Sequence, residues 1–132
     1  MLFRSNMLEQ NIQNEIRVAL SEHGMVFRTN AGEYYQGQLV YSKEFKQKVL
    51  INVRKVMGLP VGFSDLLFVG FDGNVSFVEV KNEKGKARPE QLKFFELMKK
   101  YKYKAGIARS TDDALKIIGV IDRKSTRLNS SH

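Results

Sequence analysis

The hydrophobic patterning of this 132-residue chain predicts an α/β domain with a mixed β-sheet flanked by helices. Three observations carry that expectation. An amphipathic pattern opens the chain, an Asp72-Gly73 turn joins two short apolar runs near its middle, and helix, strand and helix patterns follow in alternation.

Taken in order, residues 6–23 read as a helix. Ile12, Ile16, Ala19 and Leu20 recur at helical spacing, and Gly24 stands where a terminating glycine belongs. Residues 25–28 form a short strand, 29–33 a polar loop and 34–41 an irregular or edge strand. The charged segment 42–48 reads as an exposed loop or helical turn, 49–57 suits strand and loop equally, and 58–62, containing Pro60, turns the chain. The apolar runs 66–69 and 75–78 make a hairpin about Phe71-Asp72-Gly73-Asn74. After a polar loop at 82–87, Pro89 opens a helix whose apolar side is Leu92, Phe95, Leu97 and Met98, ending near Tyr101. A strand at 104–109 leads to Ser110, which caps a last helix over 111–118 with Asp112 and Asp113 in its first turn. Residues 1–122 thus make one domain. The segment 123–132 (RKSTRLNSSH) lacks any hydrophobic period and reads as a disordered or non-native tail outside the fold.

Composition narrows the chemistry. No run approaches the roughly 20 apolar residues that span a bilayer, and Arg4, Asn6, Glu9 and Gln10 interrupt any secretory signal. A cytoplasmic protein without a membrane partner is expected. The absence of cysteine excludes disulfides, thiolate nucleophiles and Cys-based zinc sites, and two histidines exclude a His-rich metal centre. Any bound metal must be held by oxygen, which favours Mg²⁺ or Mn²⁺ over Zn²⁺. The net charge is +8. Arg123, Lys124 and Arg127 in the tail supply three of the 22 basic residues, leaving 19 against 14 acids. The excess concentrates in residues 81–104, where nine basic side chains face only Glu83, Glu90 and Glu96. Such a stretch suits a polyanion and equally suits a solvated face.

The most specific feature is Asp65, at the start of the first apolar run, with Glu79-Val80-Lys81 at the end of the second. If Asp72 and Gly73 form the loop, Leu66 faces Glu79 and Asp65 lies one step away. A loop longer by one residue puts the two acids directly opposite, with Cβ atoms about 4.5–5.5 Å apart. Strand alternation sets Glu79 and Lys81 on one face and Val78 and Val80 on the other, toward the core. Two carboxylates and an ammonium therefore converge.

This pattern has relatives. The order Glu15, Arg28-x-Asn30-x-Gly32, Gly62-Phe63-Ser64-Asp65-Leu66, Phe77-Val78-Glu79-Val80-Lys81, and Pro89-Glu90-Gln91 followed by Phe94 resembles the VRR-NUC domain over residues 8–118. That family belongs to the PD-(D/E)xK nucleases, and Ser64 stands where their motif has Pro. The resemblance implies a restriction-endonuclease-like core and metal-dependent hydrolysis of DNA phosphodiesters, with no small-molecule cofactor. It implies that Asp65, Glu79 and the main-chain carbonyl of Val80 hold Mg²⁺ (or Mn²⁺), and that Lys81 serves the attacking water or the phosphorane. Glu15 becomes an accessory acid, and Gln91 touches the water or Lys81. Stand-alone members resemble Holliday-junction resolvases, which implies a homodimer on branched DNA, in a phage-infected host or a bacterium.

Plainer readings stand beside these. Asp65 and Glu79 could be solvated strand-end acids paired with Lys81, Glu15 could pair with Arg17, and Gln91 could be a surface residue. Arg28, Asn30, Lys86 and Arg88 suit phosphate contacts, yet also suit bracing or solvated loop charge. Tyr34, Tyr35 and Tyr41 could stack on bases, although sheet packing is the expected use. His23 reads as a cation at a helix C-terminus. Flap, nicking or exonuclease activity on the same residues, and a catalytically silent nucleic-acid-binding module, remain as alternatives.

Overall fold

The structure, a computed structural model, describes the backbone of residues 2–121 and the side chains of residues 8–121. The tail read from sequence at 123–132 lies outside the described residues. In chain order the elements are α1 (Leu2–Ser21), β1 (Gly24–Arg28), β2 (Glu33–Ser42), β3 (Gln47–Met57), β4 (Leu66–Gly70), β5 (Val75–Val80), α2 (Pro89–Lys100), β6 (Lys104–Ala108) and α3 (Thr111–Ile118). No helix among them is long and apolar enough to cross a membrane.

Four strands form the central sheet in the order β1-β4-β5-β6. β1 pairs antiparallel with β4, β4 antiparallel with β5, and β5 parallel with β6, so the sheet is mixed as expected. The parallel step follows from the chain: α2 intervenes between β5 and β6, and a helical crossover is what returns a strand in the same direction. β5 is covered on both faces. Its Val78 and Val80 join Ile16 and Leu20 of α1, Leu66 and Phe68 of β4, and Ala114, Ile117 and Ile118 of α3 in one core cluster. On the opposite face Phe77 packs with Phe95 of α2 and Ala105 of β6. Phe63, Phe77 and Phe94 make mutual ring contacts at centroid distances of 4.7–5.6 Å, favourable edge-on or tilted arrangements that bind α2 to the sheet.

The local signals at the chain's later helices act as read. The Ser110 hydroxyl accepts from the Asp113 amide at 3.1 Å, and Gly119 closes α3 in the left-handed conformation at φ 87°.

Two readings change. The central hairpin has a three-residue loop, Phe71-Asp72-Gly73, rather than Asp72-Gly73 alone: Gly70 N–H donates to the Asn74 carbonyl at 2.7 Å, and Gly73 N–H donates back to Gly70 at 3.0 Å. Leu66 therefore faces Val78. The Asp72 side chain lengthens the turn by accepting from both the Asn74 amide and its side chain.

The larger difference is residues 33–57, where the sequence suggested loop and irregular strand. They form a long hairpin of ten- and eleven-residue strands, β2 and β3, in a separate two-stranded sheet. Its two strands pack on each other and make no extensive contact with the other described elements. Its ladder is interrupted once, where Asn52 at φ 52° accompanies a register shift between Gln36 and Gln38. Apolar residues occur on both faces without clean alternation, because neither face meets a core. This missing period left the segment ambiguous in sequence. The expectation of sheet packing for its tyrosines fails too: Tyr35 and Tyr41 are 61% and 63% exposed.

Candidate active site

The hairpin register sets the site. Continuing from Leu66↔Val78, the next opposed pair is Asp65 and Glu79, and their side chains replace the backbone rungs there. Asp65 N–H donates to Glu79 Oε1 at 3.2 Å, and Val80 N–H donates to Asp65 Oδ2 at 2.9 Å. Each carboxylate is thus aimed by the other strand's end. Asp65 is also tied from behind, since the Thr29 amide donates to its carbonyl at 2.9 Å and the Thr29 hydroxyl donates to the Ser64 carbonyl. Buried Ser64 turns its own hydroxyl to the Leu66 carbonyl at 2.9 Å, a bond that braces the strand entry where related motifs carry Pro.

Glu79 is 3% exposed. Its Oε2 accepts from Gln91 Nε2 at 2.8 Å and lies 3.4 Å from Lys81 Nζ. Burial pushes its carboxyl up to about 7, the nearby charge of Asp65 adds to that, and Lys81 opposes it. Gln91 is itself buried and spans two elements. Its Oε1 accepts from the Arg88 amide at 2.9 Å at the start of α2, while its Nε2 reaches Glu79. A helix-capping residue therefore doubles as a support for the buried acid.

Lys81 is held along its stem. Gly85 lies against it so closely that a Cβ there would sit 3.2 Å from Lys81 Cδ. The 82–85 loop is in turn clamped by the Arg109 guanidinium, which donates to the carbonyls of Asn82 and Gly85 at 2.5 and 2.7 Å. Nothing in the sequence pattern singled out Arg109; its role exists only because β6 runs parallel beside β5.

Asp65, Glu79, Lys81, Gln91 and Arg88 line one cavity of about 470 Å³, together with Glu9 and the 31–33 and 61–63 segments. Among the residues named from sequence, Glu15, Arg28, Asn30 and Lys86 are exposed and do not line it. Val80 contributes its amide, as described, and its side chain belongs to the core. Helical geometry explains the difference between the two glutamates of α1. At about 100° per residue, Ile12, Ile16 and Leu20 span an arc of about 80°, Glu9 falls within it, and Glu15 lies some 60° outside. The structure therefore brings Glu9, and not Glu15, to the cavity. The same wheel could have identified Glu9 as the acid on the core-facing stripe.

The donor set suits a hard cation. Asp65 and Glu79 offer carboxylate oxygens, with Glu9 on the same cavity. No cluster of three or more His, Cys, Asp or Glu side chains gathers among the described residues. Carboxylate oxygens are donors that suit Mg²⁺ or Mn²⁺ better than Zn²⁺.

A solved structure described as a VRR_NUC domain is similar to this chain at 22% identity, with a TM-score of 0.49 over 84% of this chain and 94% of that one. Among curated protein sequences none matches. The family model of the VRR-NUC domain matches residues 7–112, from α1 through the start of α3 and across every residue of the cavity described above. The chain belongs to the VRR-NUC family, nuclease domains of the PD-(D/E)xK type.

Proposed function

We propose that this domain hydrolyses DNA phosphodiester bonds with Mg²⁺ or Mn²⁺ held by Asp65, Glu79 and the carbonyl of Val80. The observation that carries the proposal is the reciprocal bonding of Asp65 and Glu79 across the hairpin end, in one cavity with Lys81. A bound divalent cation would neutralise charge on the phosphate and acidify a water. The chain's own residues do the rest. Gln91 fixes Glu79 Oε2, so the carboxylate stays oriented when its proton leaves. Lys81, within 3.4 Å of that oxygen, reaches the same cavity and is placed to orient the attacking water or to stabilise charge on the phosphorane. Arg88 at the cavity wall contacts a phosphate of the bound strand, and Lys86, on the loop before it, meets a flanking one. Glu9 takes the accessory-acid position on α1, supporting the water from the opposite wall.

The substrate is branched DNA such as a Holliday junction, cut by a homodimer that presents two such sites. Support for this comes from the family to which the chain belongs. Cleavage of labelled four-way junction, flap and linear duplex DNAs with Mg²⁺, Mn²⁺ or chelator tests both levels of the reading. Preferential cutting of the junction is expected only with metal, and Glu79→Ala and Lys81→Ala should each lose about 10²–10³-fold, the scale for removing a charge-stabilising group. Undiminished cutting by both variants would place the chemistry elsewhere. A monomer by light scattering, alone and with junction DNA, would remove the dimer.

A further inference from the structure

We infer that the β2–β3 hairpin is a DNA-contacting arm, with Phe45 as an aromatic tip set among lysines. The inference rests on the nuclease reading and extends it to a surface far from the reacting phosphate.

Three observations point the same way. The first is continuity. Ala31, Gly32 and Glu33, at the root of the arm, line the same cavity as Asp65 and Glu79. The root is firmly held: Gly32 N–H donates to Leu59, Leu59 N–H to Asn30, and Gly58 N–H to Gly32, all at 2.8–2.9 Å. A strand leaving the cavity on this side passes onto the arm. The ten-residue ladder extends about 33 Å, close to the length of one turn of B-form duplex.

The second is charge. Residues 33–57 carry five cations against Glu33 and Glu44. Arg54 and Lys55 are engaged within the arm, by Gln36 and Glu33. Lys43, Lys46 and Lys48 are exposed at its end and make no ion pair among the described residues. Such a net positive element repels a copy of itself and attracts phosphate.

The third is the tip. Phe45 is 63% exposed, in a turn shaped by the Phe45 amide donating to Ser42 Oγ at 3.1 Å and by Lys46 at φ 54°. Tyr41 stands opposite Lys48 on the adjoining ladder, also 63% exposed. Among the described residues neither ring belongs to a core cluster or an aromatic pair. An aromatic side chain held out among cations suits stacking on an exposed base face, and branched DNA offers unstacked base faces at its crossing.

The test uses the full chain in chelator, so that binding is read without cleavage. Fluorescence anisotropy with labelled four-way junction, single-stranded and intact duplex DNA compares wild type, Phe45→Ala, and the triple variant Lys43→Ala/Lys46→Ala/Lys48→Ala. The triple variant should bind all three DNAs at least tenfold more weakly, with the salt dependence of log K reduced by roughly 2–3. Phe45→Ala should weaken junction and single-stranded binding about tenfold and duplex binding much less. Circular dichroism checks that the body is intact in each variant. Unchanged affinity in both tip variants, with wild type still binding and cutting, overturns the arm alone. Absence of any DNA binding by wild type overturns the nuclease reading first. Conversion of a wild-type dimer to monomer by the tip substitutions overturns the inference by assigning the arm to a second copy.

Discussion

Glu79 carries most of the site's electrostatic tension. In the folded chain its carboxyl stands at about 7, against 4.5 for the unpaired group. Between those values the folded state holds the proton more tightly, so this contribution to stability is complete below about pH 4.5 and is lost as pH rises through 7. The gap corresponds to roughly 3 kcal/mol. Thermal unfolding of metal-free protein should therefore show Tm falling between pH 5 and 8, a fall largely absent in Glu79→Gln, and added Mg²⁺ should raise Tm more at pH 8 than at pH 5. Parallel curves for the two proteins would show that another group titrates. Gln91 provides a second check. Gln91→Ala strips a hydrogen bond from the charged form of Glu79 and leaves buried polar atoms unpaired, costing about 1–3 kcal/mol. It also raises the Glu79 carboxyl further, so the acid limb of the pH–rate profile should move to higher pH. These residues were legible in sequence because strand ends and a helix start are positions where alternation and capping rules apply. Glu9 was passed over in favour of Glu15, a matter of reading the helical phase; Arg109 depends on which strands become neighbours, and no local pattern encodes that.

At the scale of elements, the site depends on how α2 meets the 61–63 turn. Gly62 adopts φ 96°, and a Cβ there would sit 2.5 Å from the Glu90 carbonyl oxygen. Gly62→Ala must push the first turn of α2 outward, carrying Gln91 away from Glu79. The expected result is a loss of about 1–3 kcal/mol in chemical unfolding, from strained backbone and steric overlap, with a proportionally larger loss of kcat. Ser110→Ala, just beyond the end of the edge strand β6 and outside the cavity lining, serves as the contrast: it removes the cap of α3 and should cost about 1 kcal/mol of stability while kcat is retained. The elements that bury an apolar face were readable in advance, as α1, β4, β5, α2 and α3 show. The β2–β3 hairpin was not, since hydrophobic alternation records a core and this hairpin has none.

The whole molecule is a three-layer body with an appended two-stranded sheet, and the two parts are stabilised differently. β5 lies between helices on both faces, whereas an isolated hairpin is marginally stable in water. Native-state hydrogen exchange should find the β5 amides protected to nearly the global unfolding free energy and the β2–β3 amides exchanging through small local openings; equal protection would mean that the hairpin is packed against something in solution. Legibility follows the same division, since the helix–hairpin–helix–strand–helix order was readable from patterns that report burial. The end of the central hairpin has one more consequence. Asp65 and Glu79 each bond to the backbone of the strand across from them, so the last rung of the ladder is made of the two acids proposed to hold the metal. A chain whose β4 and β5 have paired out of step, or have not yet zipped to their ends, has no site at all. On the proposed reading, activity would be a proofreading signal for the chain's own folding: newly made and partly unfolded chains would be harmless to DNA, and the nuclease would come into being only with the final pairing.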